Sequence, residues 1–365
     1  MCPLRVYVCH GCGLVQLLDV VSKDALYRQY PFVSSGVGNT PLHFQEYAAQ
    51  VQARFLKPGD FVVEIGGNDG VLLSQLRDVR RLNVDPAENI APLARQRGVT
   101  TITDFFSCAL AERIVAEHGR ARLVMGNNAV AHIDDQLDLI KGIDAVLAED
   151  GVWVIQAPYL GDIFETLGYG TIYHEHLSYF AVRPLRAFYQ RFGMHIFDYA
   201  FVPFQGRSIR LFIGRASQYA EGAHVAALAE AERRVGWDRA ETYLELAERI
   251  RRSRDRLVDV LASFKQQGKR IAAYGAAAKG MSILNYANLT REVIDFCVDG
   301  LPEKQGLFTP MSHIPIISPE EARTRPVDCY LLLAWNFRDV IRQKEQAFVQ
   351  QGGKFIMPIG EIEVF

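Results

Sequence analysis

One glycine-rich stretch of this sequence has residue types suited to ligand binding. It reads Glu64-x-Gly66-x-Asn68-x-Gly70. The apolar run Phe61–Ile65 before it predicts a buried parallel strand, and the segment 71–80 after it is predicted to be helical. Such a strand, turn and helix start let a ligand approach the backbone and meet unpaired N–H donors. The spacing is neither G-x-G-x-x-G nor a phosphate loop. The acid at the strand end favours a ligand that carries a cation, and a turn without a ligand is the alternative.

Polar side chains also follow the next predicted strands. These residues are Asp85, then Asp104 with Phe105, then Asn127 and His132. Ligands bind at the carboxyl ends of strands in open α/β sheets. A carboxylate at the position of Asp85 can accept both hydroxyls of an adenosine ribose, and an adenine ring would sit beside Asp104 and Phe105. The coincidence over successive strands favours a ligand site over a set of ordinary turns.

A second group with reactive side chains lies in the long connection 157–181. It contains His174-Glu175-His176. Histidine is the natural base near neutral pH, and a neighbouring acid can orient it or share its proton. Two histidines that flank an acid also suit a metal pair, but no third ligand is evident. A histidine with satisfied hydrogen bonds in a packed loop is the third interpretation.

These residues require a parallel α/β sheet to position them. Strands and helices alternate up to residue 156, and the strands Met194–Tyr199 and Ser208–Gly214 then predict an antiparallel edge. The segment 221–267 has helical periodicity and predicts one long helix between domains. A second, smaller α/β pattern follows Gly268. In it, Gly275 at a strand–helix turn and Lys279 behind it could hold a pyrophosphate; a nicotinamide dinucleotide is the competing ligand, but the G-x-G-x-x-G pattern is absent.

Composition sets the broad class. A chain of 365 residues, with 49% hydrophobic and 22% charged residues, predicts a globular protein of two or three domains. A net charge of −2 gives no basic footprint for nucleic acid or a membrane surface. The sequence shows no signal-peptide or membrane-span pattern, so we expect a cytoplasmic protein. Cys9 and Cys12 form one C-x2-C pair, which is half of a structural zinc site.

The turn at Glu64 resembles the S-adenosylmethionine (SAM) motif of class I methyltransferases. From Cys9 onward, nearly the whole chain resembles the SAM-dependent C-methyltransferases of deoxysugar biosynthesis, which methylate C-3 of nucleotide-linked 4-ketosugars. The motifs that carry this resemblance are Cys9–Cys12, Tyr30-Pro-Phe-x-Ser-Ser-Gly36, Glu64–Gly70, Pro158-Tyr-Leu-Gly-Asp162, Ile172-Tyr-His-Glu-His176, Tyr274-Gly-Ala-x-Ala-Lys279, Pro302-x-Lys304-Gln305, Thr309-Pro310, His313-Ile-Pro315, Ala334-Trp-Asn336 and Gly352-Gly353.

The resemblance implies an α/β protein in several parts. Residues 1–38 would form a zinc-knuckle-like region and an active-site loop, and 39–218 a class I methyltransferase, Rossmann-like SAM-binding domain. Linking helices would occupy 219–268, and 269–365 would form a C-terminal Rossmann-like domain that helps hold the nucleotide sugar. The implied partner is this nucleotide-sugar substrate, without nucleic acid or membrane, in a monomer or weak homo-oligomer.

The resemblance also implies roles for particular residues. His176 matches the base that removes the C-3 proton, and Tyr30 and Glu175 match its supporting residues. The implied SAM-binding residues are Glu64, Gly66, Asn68, Gly70, Asp85, Asp104, Phe105, Asn127 and His132, and the implied substrate-binding residues are Tyr173, Gly275 and Lys279. No catalytic metal is implied, because the ketone already acidifies the C-3 proton.

The chain departs from the family pattern at two places. The family's zinc site uses two C-x2-C pairs and only the second is present, so either the sequence begins late or this member has lost the metal. Arg207 stands where the family often has Gly-Gly-Ser and could contact substrate or phosphate. Three other functions stay open: O-methylation of a sugar or polyketide hydroxyl, a non-enzymatic SAM or nucleotide-sugar binder, and a dehydrogenase that uses the C-terminal domain.

Overall fold

The computed structural model describes residues 2–36, 38 and 40–365. The chain divides into two units. Unit 1 runs to Leu160 and continues from His174 to Arg239, and unit 2 comprises Gly161–Tyr173 and Ala240–Phe365. The division therefore falls inside the segment 219–268, for which the sequence predicts linking helices.

The strands provide the frame for both units. In chain order they are β1 (Val6–Val8), β2 (Val15–Leu17), β3 (Phe61–Ile65), β4 (Arg80–Val84), β5 (Thr100–Ile102), β6 (Ala121–Asn127), β7 (Leu147–Pro158), β8 (Ser178–Tyr179), β9 (Met194–Val202), β10 (Ser208–Arg215), β11 (Ile271–Tyr274), β12 (Cys297–Val298), β13 (Ile316–Ile317), β14 (Cys329–Leu332) and β15 (Lys354–Ile356).

The helices cover and connect these strands. They are α1 (Lys23–Tyr27), α2 (Thr40–Phe55), α3 (Ala91–Gln96), α4 (Cys108–His118), α5 (Gln136–Val146), α6 (Leu160–Thr166), α7 (Val182–Gln190), α8 (Ala223–Val235), α9 (Ala240–Gln266), α10 (Ala278–Tyr286), α11 (Pro319–Arg323), α12 (Arg338–Lys344) and α13 (Gln346–Gln350).

Unit 1 is built on a seven-stranded sheet of order β5-β4-β3-β6-β7-β10-β9. The first five of these strands are parallel, and β10 pairs antiparallel with both β7 and β9. This is the class I methyltransferase order predicted from the sequence. The chain leaves β3 toward β4 and later returns to β6 on its other side, so the carboxyl ends of β3 and β6 form the switch point where such sheets bind ligands.

Both faces of this sheet are covered, which explains why its central strands are apolar throughout. One face packs against α4, α5 and α7, with Trp153 fully buried among them. The other face packs against α2, whose Tyr47 and Val51 contribute to a second core. Strands that are buried on both sides lose the alternation of polar and apolar residues, and the continuous run in β3 follows this rule.

A small three-stranded sheet of order β1-β2-β8 also belongs to unit 1. Its hairpin β1–β2 carries Cys9 and Cys12 in the turn, and β2 pairs antiparallel with β8. Strand β8 begins two residues after His176. The small sheet therefore fixes the chain on one side of the candidate base.

Unit 2 contains a five-stranded, fully parallel sheet of order β13-β12-β11-β14-β15. Its first strand, β11, has β12 on one side and β14 on the other, so a second switch point lies at the ends of β11 and β14. The core on one face is aromatic, with Tyr274, Tyr330 and Phe355 in mutual ring contact.

Two predicted helices differ from the structure. The segment Val71–Arg80 forms only a short 3-10 turn at Leu73–Gln75, among the described residues. Few residues separate Gly70 from β4, and the backbone is already extended at Leu76, with φ −74° and ψ 137°. The single long helix predicted over 221–267 is two helices, because α8 ends at Gly236 with a left-handed φ of 84°.

Among residues 2–36, 38 and 40–365, no helix is both long enough and apolar enough to cross a lipid bilayer.

Candidate active site

The glycine turn lies directly after β3, as predicted, and its backbone requires glycine. Gly66 and Gly70 have φ values of 68° and 71°, a region that side chains with a Cβ rarely adopt. A Cβ on Gly66 would lie 2.4 Å from the Cβ of Ala129, which follows β6. The first glycine therefore lets the turn approach the neighbouring strand end at the switch point.

Glu64 and Asn127 form a buried pair across this switch point. The Nδ2 of Asn127 donates a hydrogen bond of 2.9 Å to Oε1 of Glu64. Glu64 is 2% exposed, and its burial raises the pKa of the carboxyl to about 8 against the opposing effect of the Asn127 bond. Its Oε2 is buried without a hydrogen-bond partner among the described residues. A buried carboxyl with one unoccupied oxygen is suited to a cationic ligand group.

Asp85 and Asn68 hold the turn in shape. Asp85 accepts the backbone N–H of Asn68 at 2.7 Å and that of Ala87 at 2.9 Å. Burial raises the pKa of Asp85, and both backbone bonds act in the other direction. The side chain of Asn68 bonds to the backbone of Phe32 and Ser34. Both side chains thus form hydrogen bonds within the protein, and their contact with a cofactor stays a prediction.

Asp104 and Phe105 follow β5 and lie beside α1. Asp104 accepts the backbone N–H of Phe105 at 2.8 Å and lies 3.8 Å from a guanidinium nitrogen of Arg28. The Phe105 ring has Lys23 at 4.9 Å and Arg28 at 4.7 Å from its centroid. These contacts leave adenine binding by the two residues a prediction.

Two tyrosines of the N-terminal region hold Glu175. The hydroxyl of Tyr30 donates to Oε2 of Glu175 at 2.7 Å, and that of Tyr27 donates to the Glu175 backbone oxygen at 3.4 Å. Burial raises the pKa of Glu175, whereas the Tyr30 bond favours its ionised form. Tyr30 and Glu175, which come from distant parts of the sequence, are therefore brought together as a pair.

His176 lies next to a second histidine. It is 8% exposed, and its ring centroid is 5.1 Å from that of His132. The rings of His132 and Tyr27 stack at 5.9 Å with 13° between their planes. The backbone N–H of Leu177 donates to Ala131 at 3.0 Å, which brings the two histidine segments together.

His132 was predicted as a SAM-binding residue, and the structure places it against the candidate base. Burial lowers the pKa of His132 to about 4, so its ring is neutral near pH 7. Sequence reasoning missed Tyr27 as a member of this site. The only signal for it is its position three residues before Tyr30, since the contact joins segments far apart in the sequence.

The predicted substrate residues Tyr173, Gly275 and Lys279 all belong to unit 2. Gly275 follows β11 with a φ of 88°, and a Cβ there would lie 2.6 Å from the Cβ of Ala334. The Lys279 ammonium lies 5.1 Å from the ring centroid of Trp335. Burial lowers its pKa to about 8, with Asp162 acting in the opposite direction.

Cys9 and Cys12 face each other in the β1–β2 turn, which is closed by a 2.8 Å bond from the Gly13 N–H to Cys9. Hydrogen bonds from Cys12 and Gly11 lower the pKa of Cys9, and burial raises that of Cys12. Within the described part of the chain, no third cysteine, histidine or acid joins them as a metal ligand. Two thiols supply half of the ligands of a structural zinc site.

Comparison with known proteins identifies the family. A model described as "Methyltransferase domain" matches residues 42–197, and one described as "C-methyltransferase C-terminal domain" matches residues 203–360. The C-methyltransferase NovU of Streptomyces niveus is 37% identical over 366 residues, which cover 99% of this chain and 87% of NovU. This chain belongs to the SAM-dependent C-methyltransferases.

Solved methyltransferase structures are more distant from this C-methyltransferase. A SAM-dependent methyltransferase from Thermotoga maritima is 16% identical to this chain, with a TM-score of 0.35. The match covers 48% of this chain and 88% of the Thermotoga chain. The magnesium protoporphyrin IX methyltransferase of Synechocystis PCC 6803, solved with S-adenosylhomocysteine, is 15% identical, with coverages of 48% and 82% and a TM-score of 0.37.

The turn of this C-methyltransferase fits the cofactor of its family. SAM carries a sulfonium and an ammonium, and Glu64 presents a buried carboxyl oxygen that lacks a partner among the described residues. A Cβ on Gly67 would lie 2.9 Å from that same oxygen and 2.5 Å from Oδ1 of Asn83, so glycine keeps the space beside the acid open. When bound, SAM supplies an electrophilic methyl group, and these residues would hold its cationic part.

Arg207, the departure noted in the sequence, lies in the connection between β9 and β10. Its guanidinium carbon is 5.5 Å from the ring centroid of Tyr159 and 5.0 Å from that of Phe201. Cation–π contacts of this kind hold an arginine side chain against aromatic rings. A contact between Arg207 and substrate stays a prediction.

Proposed function

We propose that this C-methyltransferase removes the C-3 proton of a nucleotide-linked 4-keto-deoxysugar and methylates the resulting enolate. The observation that carries the proposal is the cluster in unit 1 that joins the Tyr30–Glu175 pair to the His132–His176 pair. A histidine beside a half-buried acid is the arrangement expected of a general base near neutral pH. The motif Ile172–His176, shared with the ketosugar enzymes, supports the choice of substrate class.

The proposed chemistry needs a base and a methyl donor, but no further reactant. His176 takes the C-3 proton, and the electrons of that C–H bond form the enolate with the 4-keto group. The enolate carbon then bonds to the methyl group while the carbon–sulfur bond of the sulfonium breaks and its electrons stay on sulfur. The proton on His176 leaves to solvent afterwards.

The surroundings of His176 suit a histidine that becomes charged during the reaction. His132 stays neutral because burial lowers its pKa to about 4, so it does not repel an imidazolium. Glu175 in its carboxylate form, which the Tyr30 hydrogen bond favours, stabilises that imidazolium. Tyr30 is proposed to steer the proton and the keto oxygen as well.

The nucleotide end of the substrate is proposed to bind unit 2. Gly275 opens the backbone turn after β11, and Lys279 provides a half-buried ammonium four residues later. A diphosphate is the ligand group that a glycine turn and an ammonium suit best. Tyr173, from the 161–173 segment of the same unit, is proposed to contact the sugar nucleotide too.

Product analysis tests this proposal. Purified enzyme is incubated with SAM and a panel of dTDP- and GDP-4-keto-6-deoxyhexoses, and products are examined by mass spectrometry and NMR. We expect a product with a new methyl group on C-3, and a loss of at least about a hundredfold in rate for His176→Asn. His174→Asn is the matched control, since His174 lies two residues away and its Nε2 is 3.2 Å from the backbone oxygens of Cys2 and Pro3. Methylation on oxygen, or full activity of His176→Asn, would overturn the proposal.

A further inference from the structure

The loop Tyr30–Gly36, called here the Tyr30 loop, is attached to the cofactor turn by a set of specific contacts. Asn68 makes two of them: its Nδ2 donates to the Phe32 oxygen at 2.9 Å, and its Oδ1 accepts the Ser34 N–H at 2.9 Å. The same residue donates its own N–H to Asp85. Asn68 thus belongs to the turn through its backbone and to the Tyr30 loop through its side chain.

The start of the loop is fixed at the end of the adjacent strand. Asn89, beyond β4, accepts the N–H of Tyr30 at 2.9 Å and donates to the Tyr30 oxygen at 2.8 Å. This reciprocal pair orients the backbone of the residue whose hydroxyl bonds to Glu175. The loop therefore runs from the candidate catalytic pair to the cofactor turn with an anchor at each end.

A third contact closes the loop against the turn through a buried carboxylate. Asp69, whose side chain has no exposed area, accepts the Ser35 N–H at 3.3 Å and an Nη2 bond from Arg97 at 3.1 Å. The same Nη2 lies 2.8 Å from Oγ of Ser35. The Oδ1 of Asp69 has no hydrogen-bond partner among the described residues. Arg97, at the end of α3, is thus the only cation that this geometry shows bridging the buried acid and the loop, among the described residues.

We infer that Arg97 is a positioning residue for the reaction. It holds the Tyr30 loop to the cofactor turn, so that occupation of the turn by SAM and the placement of Tyr30 at Glu175 are thermodynamically coupled. This role rests on the proposed function of Tyr30 and Glu175. Without Arg97, the buried carboxylate of Asp69 keeps one weak backbone bond, and such a charge is costly to leave uncompensated. The loop then separates from the turn in part of the population.

The coupling makes two measurable quantities change together. If SAM binding stabilises the closed loop, then a loosened loop must weaken SAM binding by the same factor. A loosened loop also misplaces Tyr30, and small misplacements near reacting atoms slow catalysis strongly. Because Arg97 lies outside the reacting cluster, neither effect requires it to touch SAM or sugar.

The test compares Arg97→Gln with two other variants. In Arg97→Gln we expect the proton exchange at C-3, measured without SAM, and kcat for methylation each to fall about tenfold, and the Kd of SAM to rise about fivefold. Arg97→Lys keeps the charge but lacks the planar fork, so it should recover part of each loss. Arg95→Gln is the matched control, since Arg95 on the same helix donates to Thr101 and Thr103 instead. It should change each quantity less than twofold.

Amide hydrogen exchange of the Tyr30 loop separates the outcomes. In the wild type, SAM should slow exchange at Ser34 and Ser35, and in Arg97→Gln this protection should be lost while the folded protein persists. This measurement needs no sugar substrate. It therefore tests the coupling between SAM binding and the Tyr30 loop even if the enzyme does not accept the proposed ketosugar. Equal SAM protection in wild type and Arg97→Gln, or equal losses in Arg97→Gln and Arg95→Gln, would overturn the inference.

Discussion

The switch points of the two units share one backbone design. In each, a glycine with positive φ follows the first strand and faces an alanine beyond the strand on the other side. The hypothetical Cβ of Gly66 lies 2.4 Å from that of Ala129, and that of Gly275 lies 2.6 Å from that of Ala334. The two turns were recognised in the sequence from different motifs, yet the same close approach demands glycine in both.

Each turn is also stabilised by the same pair of hydrogen bonds. In both units an aspartate follows the second strand. Its carboxylate accepts one backbone N–H from the glycine turn and another from the residue two positions after the aspartate. Asp85 accepts from Asn68 at 2.7 Å, and Asp299 accepts from Ala276 at 2.7 Å. The second bond is 2.9 Å in both units. An aspartate after the second strand therefore has a structural role, which is to stabilise the turn.

The units differ in the side chains that the frame presents. Two positions before the glycine, unit 1 has Glu64 and unit 2 has Ala273. Two positions before the alanine, unit 1 has Asn127 and unit 2 has Leu332, and all four residues are buried. Four positions after the glycine, unit 1 has Gly70 and unit 2 has Lys279. The same backbone thus presents an acid in one unit and an ammonium in the other. This difference shows that a few side chains set the charge that a common backbone frame presents to a ligand.

Substitution of the two glycines should have the largest effect and should separate the two functions. Gly66→Ala places a Cβ against that of Ala129 at positive φ, so the free turn relaxes away from the geometry that binds SAM. Restoring that geometry on binding costs about 3 kcal/mol, which corresponds to about a hundredfold loss of SAM affinity. Gly275→Ala should leave SAM affinity unchanged and weaken nucleotide-sugar binding instead. Isothermal titration calorimetry with each ligand measures both.

The control for these variants is Gly119→Ala. Gly119 also has a positive φ, 83°, but a Cβ there would meet no atom within 4 Å. It should cost only the conformational strain and leave both affinities within about twofold. If Gly66→Ala and Gly275→Ala weakened the binding of the same ligand, the assignment of SAM to unit 1 and of the nucleotide sugar to unit 2 would be wrong.

Removal of the Lys279 charge should have an intermediate effect. Lys279→Met should raise the KM for the nucleotide sugar about tenfold, the scale of one hydrogen bond to a charged group. The Kd for SAM should not change, because the acid that suits SAM is Glu64 of unit 1. Lys265→Met, at an exposed position of α9, is the control. An unchanged KM in steady-state kinetics would exclude Lys279 from substrate binding.

The pH dependence of SAM binding should show the smallest effect. Free Glu64 is protonated below about pH 8, since burial raises its pKa to about 8. A cationic ligand favours the ionised form, so SAM binding releases a proton and weakens as the pH falls below 8. Between pH 8 and pH 7 the contribution of Glu64 to the Kd is about fivefold.

The matching variant Glu64→Gln isolates this contribution from titration of SAM itself. Its Kd should be higher than that of the wild type at pH 8, and the Glu64-specific part of the pH slope should vanish. Glu112→Gln, at an exposed position of α4, should keep the wild-type slope. Identical slopes in wild type and Glu64→Gln would show that Glu64 does not titrate on binding.

Much of the fold could be predicted because its signals are local. Apolar runs predicted the strands of the seven-stranded sheet, and β3 has the predicted bounds Phe61–Ile65. Strand β13 of the five-stranded sheet, with only two residues, was not predicted. The helix predicted after Gly70 is wrong because a periodic pattern does not register how few residues remain before β4. The break at Gly236 in the predicted long helix depends on one left-handed residue, which a periodic pattern does not register.

The site could be predicted residue by residue but not as an arrangement. Glu64 and His176 were singled out by type and context, and both are buried. The contact of His132 with His176 depends on a backbone bond between distant segments, and Arg97 reaches Asp69 only through the fold. Such pairs leave no spacing pattern in a single sequence. For the same reason, the bracing role of Asp85 could not be distinguished from ribose binding.

The central claim is that His176 removes a carbon-bound proton before the methyl group is transferred. The most direct measurement follows deuterium incorporation at C-3 of a nucleotide 4-ketosugar in D2O without SAM, for wild type, His176→Asn and His174→Asn. We expect exchange in the wild type and in His174→Asn, none in His176→Asn, and a C-methylated product once SAM is added. Methylation of a substrate that keeps its C-3 hydrogen, or undiminished exchange in His176→Asn, would contradict the account.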